Sequence, residues 1–161
     1  MSKVIYSPDR TRPPEGIWVF LAGSIEMGKA EDWQSSLGDK LSEIPEVTAI
    51  FNPRRNDWDS SWVQSIDNPQ FNEQVNWELD HIEYSDVVFM NFIPDTQSPI
   101  TLAELGYILG RSRDQILIIC CPDGFWRQGN VEIMAERSGL RIFRDYDEAV
   151  QALVSMIGSL S

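Results

Sequence analysis

The stretch "IWVFLAG", Ile17 to Gly23, followed by "AEDWQSSLGDKLSEI", Ala30 to Ile44, decides the fold. The first is an unbroken apolar run closed by glycine, the pattern of a strand buried on both faces. In the second, Trp33, Leu37, Leu41 and Ile44 recur at the spacing of one helix face. Working outward, "VTAIFNP" (Val47 to Pro53) is a second strand stopped by Asn-Pro, and "NEQVNWELDHIEYS" is a helix through Val75, Leu79 and Ile82. "DVVFMNF" (Asp86 to Phe92) is the third strand, "SPITLAELGYILG" (Ser98 to Gly110) the next helix, and "DQILIICC" (Asp114 to Cys121) the fourth strand. "NVEIMAERSG" is a helix that Gly139 stops, "LRIF" a short fifth strand, and "DYDEAVQALVSMIGSL" a closing amphipathic helix.

Alternating strands and helices of this kind predict an α/β domain. The expected form is a three-layer α/β/α sandwich with a five-stranded, mainly parallel sheet, Rossmann-like or flavodoxin-like. Residues 17–161 form that single domain. Residues 1–16, with Pro8, Pro13 and Pro14, are expected as an extended N-terminal arm, loose or laid across a neighbour. At 161 residues the chain buries roughly 70% of the surface its unfolded form exposes.

Twenty-five acidic against 13 basic residues leave a net charge of −12, which disfavours nonspecific binding to nucleic acid or an anionic membrane. No apolar run approaches the ~20 residues of a bilayer span, and "MSKVIYSPDRTRPPEG" lacks the apolar core of a secretory signal. A soluble, cytoplasmic protein is expected. Cys120 and Cys121 are adjacent in a strand and point to opposite faces, so they read as buried thiols. With His81 as the lone histidine there is no zinc-ligand spacing, and neither a metal nor an organic cofactor is expected.

Ligands of open parallel sheets bind at the carboxyl ends of the strands, which directs attention to the loops after residues 22, 51, 92 and 121. The first loop matches G-x-x-x-x-G-K from Gly23 to Lys29, but Ala30 stands where magnesium needs Ser or Thr, and Glu26 would repel a polyphosphate. A turn of Gly23, Ser24 and Ile25 before a helix can still offer backbone amides to a sugar hydroxyl or one phosphate. The second loop, "FNPRRNDWDSSW", supplies Arg54 and Arg55 for a phosphate and Trp58 for stacking on a base. It opens an irregular stretch from Asn52 to about Pro69, longer than loops that merely connect. Glu78, His81 and Ile82 share one helix face while Asp80 points elsewhere. Glu104 admits two readings. With Thr101 it fits a capping box, contributing about 1 kcal/mol to its helix; its place after the third strand also fits a reacting carboxylate, favoured as an anion near a helix N-terminus.

Taken together, "FLAGSI", the acidic helix leading into "SDVVFMNFIPD", and "AELGY" at Ala103 to Tyr107 resemble the nucleoside 2-deoxyribosyltransferase family and its relatives, the 2'-deoxynucleoside 5'-monophosphate N-glycosidases. The resemblance runs over roughly residues 17 to 145. It implies that Glu104 is a nucleophile that forms a glycosyl-enzyme ester, and that Glu78, or Asp80 in another register, assists at the base. Ser98 stands where transferases place an aspartate. The monophosphate glycosidases use a serine there together with a Gly-Ser-Ile loop for the 5'-phosphate, as Ser98 and Gly23 to Ile25 would; Asp95 is the other source of the missing carboxylate. Asn130 falls where the family sends a residue into the neighbouring subunit, which implies a homodimer or higher homo-oligomer with shared active sites. The expected partner is a small nucleoside or nucleotide, with a second base or water as acceptor. Two other readings are a noncatalytic nucleotide-binding sensor and an NTPase that would depend on Lys29.

Overall fold

The computed structural model describes residues 3–25, 31–111 and 113–160. In chain order the elements are β1 (Val4–Tyr6), β2 (Ile17–Gly23), α1 (Trp33–Ser42), β3 (Val47–Asn52), α2 (Pro69–Tyr84), β4 (Val87–Asn91), α3 (Pro99–Leu109), β5 (Ile116–Cys120), α4 (Gln128–Arg137) and α5 (Tyr146–Leu160). The strands pair in parallel throughout, in the order β1-β3-β2-β4-β5. The α/β class and the layered sandwich expected from the sequence are both present.

Strand alternation divides the apolar residues between two faces. From β2, Phe20 and Ala22 join Trp77 and Ile82 of α2, Leu105 and Ile108 of α3, and Val131 and Ala135 of α4. Val19 and Leu21 point the other way, onto Trp33, Leu37 and Leu41 of α1 and Leu153 and Ile157 of α5. Both faces of the central strands are therefore covered, which is why β2, β3 and β4 read as continuous apolar runs. Each large side chain so buried stabilises the fold by about 1.5–3 kcal/mol. No helix among the described residues is long and apolar enough to cross a membrane.

Two expectations need correction. The fifth strand is not "LRIF": residues 140–143 contribute a single bridge, Phe143 to Cys120, before the chain turns into α5. The strand that completes the sheet comes from the N-terminal arm, where Val4 to Tyr6 pair with Ile50 to Asn52. Beyond β1 the arm stays on the body, with Trp77 Nε1 donating to Asp9 O at 2.7 Å and Arg10 pairing with Asp80 at 2.9 Å.

The order of the strands positions the site. From β2 the chain moves outward to β3, then returns across β2 to β4, so the direction of winding reverses between β2 and β4. A crevice opens at the carboxyl ends of strands at such a reversal. Here those ends are Gly23 and Asn91, paired directly across the sheet.

Candidate active site

Gly23 has φ +144°, and a Cβ there would lie 2.2 Å from Asn91 O and 2.9 Å from the Trp33 ring. Glycine is required for this approach of β2 to β4. It delivers Ser24, whose amide donates to Asn91 O at 3.0 Å and whose Oγ accepts from Ile93 N at 3.0 Å. The Ser24, Thr96 and Ser98 hydroxyls then form a triangle: Ser24 to Ser98 2.6 Å, Ser24 to Thr96 2.8 Å, Thr96 to Ser98 2.8 Å. Thr96 commits its proton to Ile93 O at 2.8 Å. At most two hydroxyl protons, those of Ser24 and Ser98, therefore serve three contacts. Ser24 and Ser98 are buried, and Ser98 holds a left-handed backbone, φ 47°, ψ 52°. Ile25 lies half-buried beside them, whereas Glu26, Lys29 and Ala30 of the G-x-x-x-x-G-K stretch fall outside the described residues.

Glu104 is not a cap. Helix α3 begins at Pro99, a residue suited to the first helical position, with Ser98 before it as the N-cap residue. Thr101 is thus already inside the helix, and Glu104 follows a turn later on the inward stripe of Thr101, Glu104, Leu105 and Ile108. That also takes it beyond the first turn, where backbone dipoles would favour its anion. Glu104 as a residue is 6% exposed. Burial, and then the charge of Glu78, push its carboxyl well above the usual carboxylate range.

Glu78 projects from the middle of α2 so that its charge bears on Glu104. Burial pushes it up to about 7, opposed by a hydrogen bond of 3.3 Å from Gln74 Nε2, one helical turn earlier. Asp80 faces away, toward Arg10 of the arm. His81 is buried, stacked on Trp77 with centroids 4.1 Å apart, and burial lowers its pKa. Two carboxyl groups with raised pKa values, one acting on the other through its charge, can hold one proton between them.

The loop after β3 is occupied with its own contacts. Arg54 Nε lies 2.9 Å from Gln34 Oε1 and 3.1 Å from Asp32, and its Nη2 donates to Glu31 O at 2.7 Å. Arg55 pairs with Asp57 at 2.6 Å and Glu73 at 2.9 Å, and its guanidinium lies 5.0 Å from the Trp62 ring centroid. Trp62 in turn meets Trp58 edge to face at 5.0 Å. Because Arg54 only donates, its Nε holds Gln34 Oε1, and its backbone N–H holds Asn52 Oδ1 at 3.0 Å. Among the described residues no acceptor meets either amide nitrogen, Gln34 Nε2 or Asn52 Nδ2, or Trp58 Nε1, all of them buried. An unmet buried donor costs about 1–3 kcal/mol, so this end of β3 is a set of donors suited to a ligand rich in acceptor atoms.

The fold thus brings Gly23, Ser24, Ile25 and Ser98 together at the β2–β4 crevice and sets Glu78 against Glu104. It gathers Arg54, Arg55 and Trp58 in the neighbouring loop. Asp95 and Asn130 are exposed. Sequence reasoning missed Thr96, Gln34, Asn52 and Gln74; of these only Gln74, four residues before Glu78 on one helix face, was visible in spacing. A cavity of about 360 Å³ lined by Glu83, Tyr107 and Arg111 lies toward the amino end of β5. That is the wrong edge of a parallel sheet for catalysis, and Tyr107, Glu83 and Arg111 satisfy one another there.

A family model described as nucleoside 2-deoxyribosyltransferase like matches residues 16–125, more than half of the chain. It includes both carboxylates and the Ser24–Thr96–Ser98 triangle, and stops short of the arm and of Asn130. No curated protein matches the chain.

Proposed function

The chain belongs to the nucleoside 2-deoxyribosyltransferase-like family, and from that premise we propose that it breaks or remakes the N-glycosidic bond of a (deoxy)nucleoside through a glycosyl ester on Glu104. The observation that carries the reading is the buried Glu104 on the inward stripe of α3, the helix that follows β4, where the charge of Glu78 reaches it. In the first step a Glu104 carboxylate oxygen bonds to the anomeric carbon as the carbon–nitrogen bond breaks. The bonding pair leaves with the base, and the protonated Glu78 carboxyl gives that base its proton. In the second step a new base, or water, attacks the same carbon, Glu78 takes up the proton released, and Glu104 leaves as carboxylate. This is the double displacement of retaining glycosidases applied to nitrogen.

The pair must hold a single proton for this to work, on Glu78 when substrate is bound. Both groups favour the acid form by burial, and positive charge developing on the sugar favours the anion of Glu104, the carboxylate that attacks it. The donors of Gln34, Asn52 and Trp58, which meet no acceptor among the described residues, support a ligand whose atoms accept, as the oxo and ring nitrogen atoms of a base do.

A second reading, hydrolysis of a nucleoside 5'-monophosphate, is favoured by the hydroxyl triangle. The protons of Ser24 and Ser98 are traded among neighbours, and both can turn onto an anionic oxygen that only accepts. We place the work in the cytoplasm, where the free thiols Cys120 and Cys121 stay reduced. The active form in this reading is a homo-oligomer with Asn130 reaching a neighbour's site, a state supported by exposed Ile100, Trp126 and Ile133 on and beside α3 and α4.

The test is chromatography of deoxynucleosides and their 5'-monophosphates after incubation with protein, with and without a second free base. A new nucleoside formed only with the second base identifies a transferase; free base with sugar or sugar phosphate identifies a hydrolase. Glu104→Gln is expected to be silent in either case, and unimpaired turnover by that variant refutes the proposal.

A further inference from the structure

We propose that the N-terminal arm, through Ser7 and Gln74, positions the Glu78 carboxyl for its work on the base, a role that rests on the reaction proposed above. The arm precedes the family match at residue 16. Tyr6 pairs with Asn52, and the next amide, Ser7 N, donates to Asn52 O at 3.2 Å. This pairing sets Ser7, itself buried, so that its Oγ lies 2.5 Å from Gln74 Oε1.

The orientation of Gln74 is fixed by its partners. Pro53 O can only accept, so the group 3.0 Å from it is Nε2, and Oε1 must face Ser7, which donates. One Nε2 hydrogen then goes to Pro53 and the other to Glu78 Oε2 at 3.3 Å. Gln74 is buried, so its amide has no water to replace a lost partner. Further along the same helix, Trp77 holds Asp9 O and Asp80 pairs with Arg10, so residues 7 to 10 lie along one stripe of α2.

The Gln74 N–H favours the Glu78 anion and opposes the effect of burial. The charged group that interacts with Glu78 is Glu104 from α3; Asp80, Asp9 and Arg10 act instead on the neighbouring His81, and Asp80 and Arg10 are paired with each other. Loss of the Ser7 hydroxyl frees the Gln74 amide to turn, and loss of the amide removes the donor to Glu78.

The experiment is a carbon-13 NMR titration of protein labelled at the glutamate side-chain carboxyl, with the Glu78 signal assigned by its absence in Glu78→Gln. It runs alongside the pH profile of base release for the wild type, Ser7→Ala, Ser7→Thr and Gln74→Leu. In Gln74→Leu the Glu78 midpoint is expected to rise by about one pH unit, a tenfold change in proton affinity. Ser7→Ala is expected to move it in the same direction by less, and Ser7→Thr, which keeps the hydroxyl, to restore it. The profile of kcat is expected to move with the midpoint while KM stays within about twofold, because a positioning group acts on the chemical step. Unchanged midpoints in both Ser7→Ala and Gln74→Leu overturn the proposal. If the midpoints move but the wild type releases no base from any substrate, the reaction falls and the coupling of arm to Glu78 stands.

Discussion

Replacing Glu78 with Gln is expected to make the protein more stable at pH 8 and much less so at pH 5. The carboxyl is held near 7 in the folded chain against an ordinary 4.5. The folded state therefore keeps a proton that the unfolded chain has already released, and stability falls as pH rises from 4.5 to about 7, then levels off. That interval corresponds to about 3 kcal/mol, an upper figure because solvent reaches part of the side chain. Glutamine keeps the shape and the acceptor for Gln74 but carries no charge, and it also removes the repulsion felt by Glu104. For a chain of this length each kcal/mol moves Tm by about 2–4 °C, so a rise approaching 10 °C is expected at pH 8. Urea unfolding of wild type and Glu78→Gln at both pH values, at constant ionic strength, measures the two gaps. Equal gaps at pH 5 and pH 8, or a variant less stable at pH 8, would refute the claim that the Glu78 charge is disfavoured in the fold.

Gly23→Ala is expected to lose at least about 3 kcal/mol by urea unfolding, since its Cβ would fall 2.2 Å from Asn91 O in a backbone region that side chains rarely adopt; a loss under about 1 kcal/mol would show that the β2–β4 approach is not tight. Ser98→Ala removes one of the two protons serving the hydroxyl triangle. On the monophosphate reading it lowers kcat/KM for a 5'-monophosphate about tenfold relative to the bare nucleoside, as loss of one charge-assisted hydrogen bond does, whereas an unchanged ratio argues against a phosphate at that place. Cys120 and Cys121 are buried thiols, each pushed up to about 12. A thiol reagent is expected to react with them at the rate of unfolding, and rapid labelling in native buffer would contradict their burial.

The apolar runs that became β2, β3, β4 and β5 were legible because strands buried on both faces leave few polar residues to confuse the pattern. The arm strand was not. Val4 to Tyr6 is three residues long and finds its partner at Ile50 to Asn52, a pairing that no local periodicity encodes. "LRIF" misled for the opposite reason: Phe143 does meet Cys120, but the neighbouring residues form no ladder. In α3, Pro99 was the true start signal, and taking Thr101 instead placed Glu104 a turn too near the helix end. The two carboxylates were legible as residues, one by helix face and one by resemblance, but their opposition depends on how α2 packs beside α3. The donors of Gln34 and Asn52 that no described residue meets arise only once Arg54 has taken both amide oxygens, a relation that joins α1 to the loop after β3.

The most direct measurement of the central claim is peptide mass spectrometry of the protein quenched in acid during turnover of a deoxynucleoside or its 5'-monophosphate, whichever releases base. The expected result is a sugar ester on the peptide carrying Glu104, absent in Glu104→Gln and diminished when a second base is added to discharge it. A turning-over enzyme that carries no ester at Glu104, or carries one on another residue, would contradict the account.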